Sequence, residues 1–393
     1  NFLNMYSSTF AKTTYKPMNI GYATGKEPLF GLNGQIFKPQ APNWALIESL
    51  DWVEPLRNCP QEPEHHAEGD VWTHTRMVVD ALLALPEFQT LSEREQSLLF
   101  HAALLHDVAK PQCTIVEDGK ISSPRHAKIG EKVAREILWD VEIGFREEVC
   151  ALVRQHGLPL WIMDKPDPLR AAILASWRVR NELTYLLAKA DVLGRISATR
   201  DELAYRADLF RELCLENECF MQEAVWFNEH SRYRYVWSEE TYPVELFDDT
   251  AFEVVVLAGV AGSGKDTYYA KHYPHLPMVS LDQIRKELKI RSDDREGQGK
   301  VAQLAYERAK AFCRRKQSFV WNSTNLTQEL RNRLFNALRV YDPRFTIVYL
   351  ETSQANIFSR RKADIKHSIL ERMIGQLDMP LVGEGHEVKW VRD

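Results

Sequence analysis

The chain has 393 residues, 45% of them hydrophobic and 27% charged, the balance of an ordinary globular protein. No apolar run reaches the roughly 20 residues that span a bilayer, so no membrane partner is expected. Two or three domains with separate cores are implied by the length. Charge is unevenly placed: residues 1–250 hold 26 Lys+Arg against 38 Asp+Glu (−12), and residues 251–393 hold 24 against 17 (+7). A half that holds cations and a half that grips phosphate would produce this split.

Residues 1–45 are turn-rich and predict irregular structure, and the start, Asn1-Phe2-Leu3-Asn4, has neither a signal-peptide pattern nor an initiator Met, as expected of a chain missing a residue or two. Cys59, Cys113, Cys150, Cys214, Cys219 and Cys313 form no Cys-x-x-Cys pair and read as buried thiols of a reducing cytoplasm, which is the expected location. Over 46–240 apolar residues recur at helical spacing, as in Leu98, Leu99, Ala102, Leu105 and Val108, so an all-α domain is expected. Ser123-Pro124 predicts a helix start and Gly157 a helix stop. Residues 241–251 are polar and aperiodic and predict a linker. Over 252–393 apolar strands at 252–258, near 277–280, 318–322 and 345–350 alternate with helices, predicting an α/β domain with a parallel sheet whose ligands bind beyond the strand ends.

In the helical half, His106 and Asp107 are adjacent at the end of an apolar helix that Pro111 is expected to terminate. An imidazole beside a carboxylate suits Mn, Fe, Co, Ni or Zn. His74 falls on the preceding helix, His126 opens the next, His156 sits in the last turn of the one after, and Asp191 lies on a helix of its own. His65, His66 and His101 read as structural, the last lying about 140° around the helix from His106.

This order resembles the HD phosphohydrolase superfamily, and Gly69–Thr75 and Val153–Gly157 are similar to the HD domain attached to tRNA nucleotidyltransferases. The resemblance implies that His74, His106, Asp107 and Asp191 hold one divalent transition metal, with Lys110 following. His126 and His156 match positions that admit a second ion. Two cations about 3.5–4 Å apart polarise a phosphoester, and Lys110 would offset charge on the phosphoryl oxygens.

In the second half, Gly259-Val-Ala-Gly262-Ser263-Gly264-Lys265-Asp266-Thr267 follows the apolar strand Val254–Ala258 and opens a helix. Such a loop cradles phosphate with backbone N–H groups, a helix N-terminus and the Lys265 charge. Asp266 stands where the magnesium-binding hydroxyl usually sits, and a carboxylate beside triphosphate is repulsive unless magnesium intervenes. Asp282, at the end of the second strand, could take a proton from an attacking hydroxyl or simply cap the following helix. Arg285, one turn on, could clamp a phosphate. The third strand ends in Trp321-Asn322-Ser323-Thr324-Asn325 with no acidic residue, which disfavours an ATPase motor. Arg360, Arg361, Lys362 and Lys366 could form a helical lid or a solvated face.

Together these features look like 5′-hydroxyl polynucleotide kinases of the phage type. That resemblance implies Asp282 as general base, Arg285 on the acceptor's phosphate, Lys265 and Arg361 on the donor, and Thr324 and Asn325 as the strand-end pair. The order of the halves is similar to bacterial HD-Pnk enzymes, which implies repair of broken RNA or DNA termini for a polynucleotide ligase. ATP or another NTP and magnesium would serve the kinase. A nucleoside or sugar kinase fused to an HD nucleotidase, and an HD nucleotide sensor regulating a P-loop ATPase, are the rival readings.

Overall fold

The computed structural model describes residues 42–238, 243–291, 293–361 and 365–392, without the side chains of Arg295 and Arg361. The irregular segment expected over 1–45 falls almost wholly outside them, as does Lys362 of the basic cluster. The first half is helical. Its principal helices are α1 (Val71–Ala84), α2 (Glu93–Leu105), α3 (His126–Ile137), α4 (Ile143–Gln155), α5 (Pro168–Ser176), α6 (Asn181–Leu193), α7 (Arg200–Glu216) and α8 (Glu229–Trp237). Local chemistry sets their starts: Asp70 accepts the Thr73 N–H at 2.9 Å, Ser92 and Glu95 form a reciprocal capping box, and Glu142 accepts two N–H groups of α4, each satisfying donors left open by the first turn.

Two expected boundaries differ. α2 ends at Leu105, and Pro111 sits in the first turn of a separate short helix, Lys110–Cys113, where its missing N–H costs nothing. α3 begins at His126 after Arg125 in the left-handed region, not at Ser123-Pro124. A hairpin that the periodicity did not suggest, β1 (Ile115–Glu117) with β2 (Lys120–Ser122), lies between them. It turns at Asp118-Gly119, both at positive φ, as tight hairpins require.

The second half is a five-stranded, wholly parallel sheet. Its strands are β3 (Glu253–Ala258), β4 (Met278–Ser280), β5 (Phe319–Asn322), β6 (Arg344–Glu351) and β7 (Glu387–Arg392), in the order β4-β5-β3-β6-β7. Helices α9 (Lys265–His272), α10 (Leu281–Glu287), α11 (Arg295–Arg314), α12 (Gln328–Leu338), α13 (Gln354–Arg361) and α14 (His367–Gly375) complete it. Strand residues alternate between faces: Val254, Val256 and Ala258 join one core with Val301, Ala305 and Ala309 of α11, while Val255 and Leu257 pack with Tyr268 and Tyr269 of α9 on the other. β7 was not foreseen; its Glu-Val-Lys-Trp-Val-Arg alternation is that of a half-exposed edge strand.

The halves are closely joined. Trp139 of the helical half is buried within the core of the sheet half, and its indole donates to the Thr352 carbonyl at 3.2 Å. Arg146 of α4 makes a two-pronged ion pair with Glu351 at the end of β6, both bonds 2.8 Å and both side chains wholly buried. Lys132 pairs with Asp378 at 2.7 Å, and α8 packs Tyr233 on Phe345 and Trp237 on Phe335.

Candidate metal centre and phosphate cradle

The six sequence-predicted metal residues come together. His74 and Asp191 approach within 3.0 Å, His106 and Asp107 within 3.2 Å, His126 and Asp107 within 3.5 Å, and His126 and His156 within 3.3 Å. Gly194 allows α1 to lie against the end of α6, since a Cβ there would sit 2.7 Å from the Val78 nitrogen. The donors form two groups, His74-His106-Asp191 and Asp107-His126-His156, each with its ligand atoms within 4.8 Å of one another.

Ring orientation follows from local backbone bonds. His106, His126 and His156 each place Nδ1 at 2.8 Å from the carbonyl three residues back, on Ala103, Ser123 and Val153. Donation from Nδ1 leaves each Nε2 lone pair facing the centre. Glu68 serves His74 the same way, its Oε1 lying 2.8 Å from His74 Nδ1 and 2.8 Å from His66 Nδ1, while Oε2 accepts the Ile196 N–H. Glu68 was not predicted, because no spacing marks it. His66 is drawn in as Glu68's other partner.

Burial pushes the Asp107 pKa up, but Lys110 and His106 outweigh it and hold the carboxyl well below the usual range. Asp191 behaves alike under Arg195 and His74. Burial, aided by His126 and His106, lowers His156 to about 3. Lys110 bridges Asp107 at 2.7 Å and the Gln61 carbonyl at 2.6 Å. His106 Nε2 and Asp107 Oδ1 are buried and make no hydrogen bond among the described residues. Four imidazoles, two ionised carboxylates and those orphaned atoms fit one or two divalent transition ions.

The phosphate cradle leaves the C-terminal end of the central strand β3. Gly259, Gly262 and Gly264 have φ of +142°, +90° and +94°, and a Cβ at Gly259 would collide with the Leu350 carbonyl, so this turn requires glycine. Lys265 folds over the loop and donates to the Gly259 and Val260 carbonyls, both at 2.9 Å. Thr267 is exposed one residue beyond Asp266. Asp266 accepts a 2.7 Å hydrogen bond from the Asn322 amide at the end of β5. Asp266 thus lies in the first turn of α9, facing the amide at the end of β5.

Asp282 lies on α10 with an exposed side chain paired to Arg285, whose Nε also donates to Gln298 at 3.1 Å. The helix cap is Ser280, not Asp282. The Thr324 carbonyl accepts the Gly259 N–H at 2.9 Å. The Asn325 amide donates to the Leu257 carbonyl at 2.6 Å, so this member of the strand-end pair braces the cradle's own strand. Arg361 ends α13 with its side chain outside the described residues. Arg360, beside it, donates to the Gly262 carbonyl at 3.3 Å and is the described cation that reaches the loop from α13.

Residues 71–195 match the family model of the HD domain, and residues 254–366 match that of an AAA domain. A 93-residue stretch is 37% identical to the Multifunctional CCA protein of Halorhodospira halophila (strain DSM 244 / SL1), covering 24% of this chain and 20% of that protein; the chain thus spans about a fifth of that curated relative. Among solved structures, a kinase candidate of Chloroflexus aurantiacus j-10-fl is 18% identical with a TM-score of 0.32, covering 37% of this chain and 86% of that one. A gluconokinase of Sinorhizobium meliloti 1021 is 19% identical with a TM-score of 0.26, covering 36% and 82%. Overlaps this low carry no functional weight. The described residues contain no helix long and apolar enough to cross a membrane. The chain thus joins a helical half whose residues 71–195 match the HD domain model to a parallel-sheet half whose residues 254–366 match the AAA domain model.

Proposed function

We propose that the chain is a bifunctional nucleic-acid end-healing enzyme. In this reading the P-loop half transfers the γ-phosphate of ATP or another NTP to a polynucleotide 5′-OH. The HD half hydrolyses 2′,3′-cyclic, 2′- or 3′-phosphate ends, leaving termini suited to a ligase. The observation that carries it is the pairing, in one chain, of a six-donor metal centre with a phosphate cradle whose neighbouring helix presents Asp282 and Arg285 side by side.

Loop N–H groups, Lys265 and the N-terminus of α9 orient the donor triphosphate. Asp282 accepts the proton of the attacking hydroxyl, a role that typically contributes about 10²–10⁴-fold, and Arg285 holds the acceptor's neighbouring phosphate. Lid cations Arg360 and Arg361 stabilise charge on the transferring group. Asp266, oriented by Asn322, would accept from the water shell of magnesium.

In the HD half, His74, His106, Asp107 and Asp191 would hold one divalent ion, and His126 and His156 with Asp107 would hold a second. Such ions neutralise phosphoryl charge and lower the pKa of the attacking water. Lys110, fixed by Gln61, faces the phosphoryl oxygens.

An RNA bearing a 5′-OH and a 2′,3′-cyclic phosphate, incubated with ATP, magnesium and manganese, should acquire a 5′-phosphate and lose its terminal phosphate. Free nucleosides and sugars should compete poorly. Phosphorylation of nucleosides or gluconate far faster than RNA ends would transfer the assignment to a metabolic kinase.

A further inference from the structure

The HD centre opens into a cleft of about 800 Å³ to which both halves of the chain contribute. Asp107, Lys110, His126 and His156 line it. Leu158, Trp161, Leu174 and Trp177 of the HD half and Val382 of the P-loop half add apolar wall, among the cations Arg154, Lys165 and Arg178. Ligand sites commonly occupy about 300–1,000 Å³, so this space exceeds what a phosphate alone needs.

Val382 belongs to a wall held from several sides. Gly383 has a φ of +82° and lies so close to α8 that a Cβ there would meet Val236 at 2.6 Å and Trp177 at 3.6 Å. The Trp237 indole donates to the Glu384 carbonyl at 2.9 Å. The Glu384 carboxylate is buried against Arg331, which also donates to the Asn325 carbonyl at 2.9 Å. Trp161 lies five residues beyond His156. It is 48% exposed, with the Arg206 guanidinium 5.1 Å from its ring centroid. Gln155 also lines the cleft, and its buried Oε1 has no hydrogen-bond partner among the described residues.

We propose that this apolar wall is part of a nucleobase subsite, holding the terminal nucleoside whose phosphate the HD centre removes, with Trp161 as its stacking face. This rests on the end-healing reading. A phosphate-cleaving centre fixes one end of the ligand, and the apolar side chains fit a planar ring. Stacking on an aromatic face tolerates every base, so Trp161 selects nucleic-acid ends over small phosphoesters without choosing among sequences.

The test uses the full chain and two RNAs ending in a 3′-phosphate, identical except that the terminal nucleotide of one lacks its base. The wild type should cleave the abasic end about tenfold less efficiently or worse. Trp161→Ala should lower kcat/KM on the base-bearing end roughly 5- to 150-fold, mainly through KM. It should leave the abasic end and 5′ phosphorylation within about twofold of wild type. Trp161→Phe should restore most of the loss, and Val382→Trp, which fills the chamber from the other half, should reproduce it. Equal wild-type rates on the two ends, or a Trp161→Ala loss shared by both, would overturn the subsite while leaving end healing intact. Cleavage of neither end would overturn the end-healing reading itself.

Discussion

Asp266 shows how much depends on single side chains. In the first turn of α9 it is a carboxylate where a hydroxyl is usual, and it accepts from the Asn322 amide at the strand end, an arrangement in which carboxylate and amide would exchange places. If that exchange serves magnesium, Asp266→Ser should cut the kinase rate about tenfold or more at limiting magnesium, and Asp266→Ser with Asn322→Asp should recover most of it. An Asp266→Ser protein with an unchanged magnesium response would refute the exchange. His101 supplies a second case. It is wholly buried, placing Nδ1 2.7 Å from the Ser97 carbonyl, and burial lowers its pKa from 6.5 to about 4. The folded chain therefore keeps it neutral while the unfolded chain protonates between those values. Its contribution is complete above pH 6.5 and declines as pH falls toward 4, by about 1.4 kcal/mol per pH unit. Denaturant melts of His101→Leu should show a shallower acid slope than wild type over that window, whatever its stability at neutral pH. An unaltered slope would contradict the assignment.

Helix α4 connects the two halves. Near its start Arg146 grips Glu351, and immediately after its last residue His156 enters the candidate metal centre; the ten-residue rise between them spans about 15 Å. Glu351 also accepts from the Tyr349 hydroxyl at 2.8 Å. Removing Arg146 strands the Glu351 carboxylate in the interior, at a cost of about 3–5 kcal/mol, while Glu147, the other partner of Arg146, keeps Arg135; replacing both members of a pair with apolar groups is often neutral. Arg146→Met should therefore destabilise the chain by roughly that amount in chemical denaturation, and Arg146→Met with Glu351→Leu should regain most of it. A loss below about 1 kcal/mol for the single change would show that the pair is not needed to join the halves.

For the whole molecule, legibility followed the range of the signal. Helical periodicity and short apolar strands are local, so the two architectures could be read directly. The six candidate metal residues were legible because their order along the chain resembles the HD pattern. What escaped was long-range or chemically ordinary. Glu68 is one glutamate among many, Arg146 and Glu351 are 205 residues apart, and β7 alternates like many surface segments. Trp139 carries no mark that its partners lie in the other half. The bond from Asn325 to its own sheet escaped because sequence names a side chain without its direction. The resemblance favours Arg361 over Arg360, and the side chain of Arg361 lies outside the described residues.

The central claim is that two independent phosphate chemistries share one chain. It is tested most directly by giving wild type, Asp107→Ala and Asp282→Ala the same RNA with a 5′-OH and a 2′,3′-cyclic phosphate, then mapping both ends. Asp107→Ala should phosphorylate the 5′ end and leave the cyclic phosphate. Asp282→Ala should remove the terminal phosphate and phosphorylate at least about 10²-fold more slowly. Loss of both activities in either folded variant, or retention of both, would contradict the account.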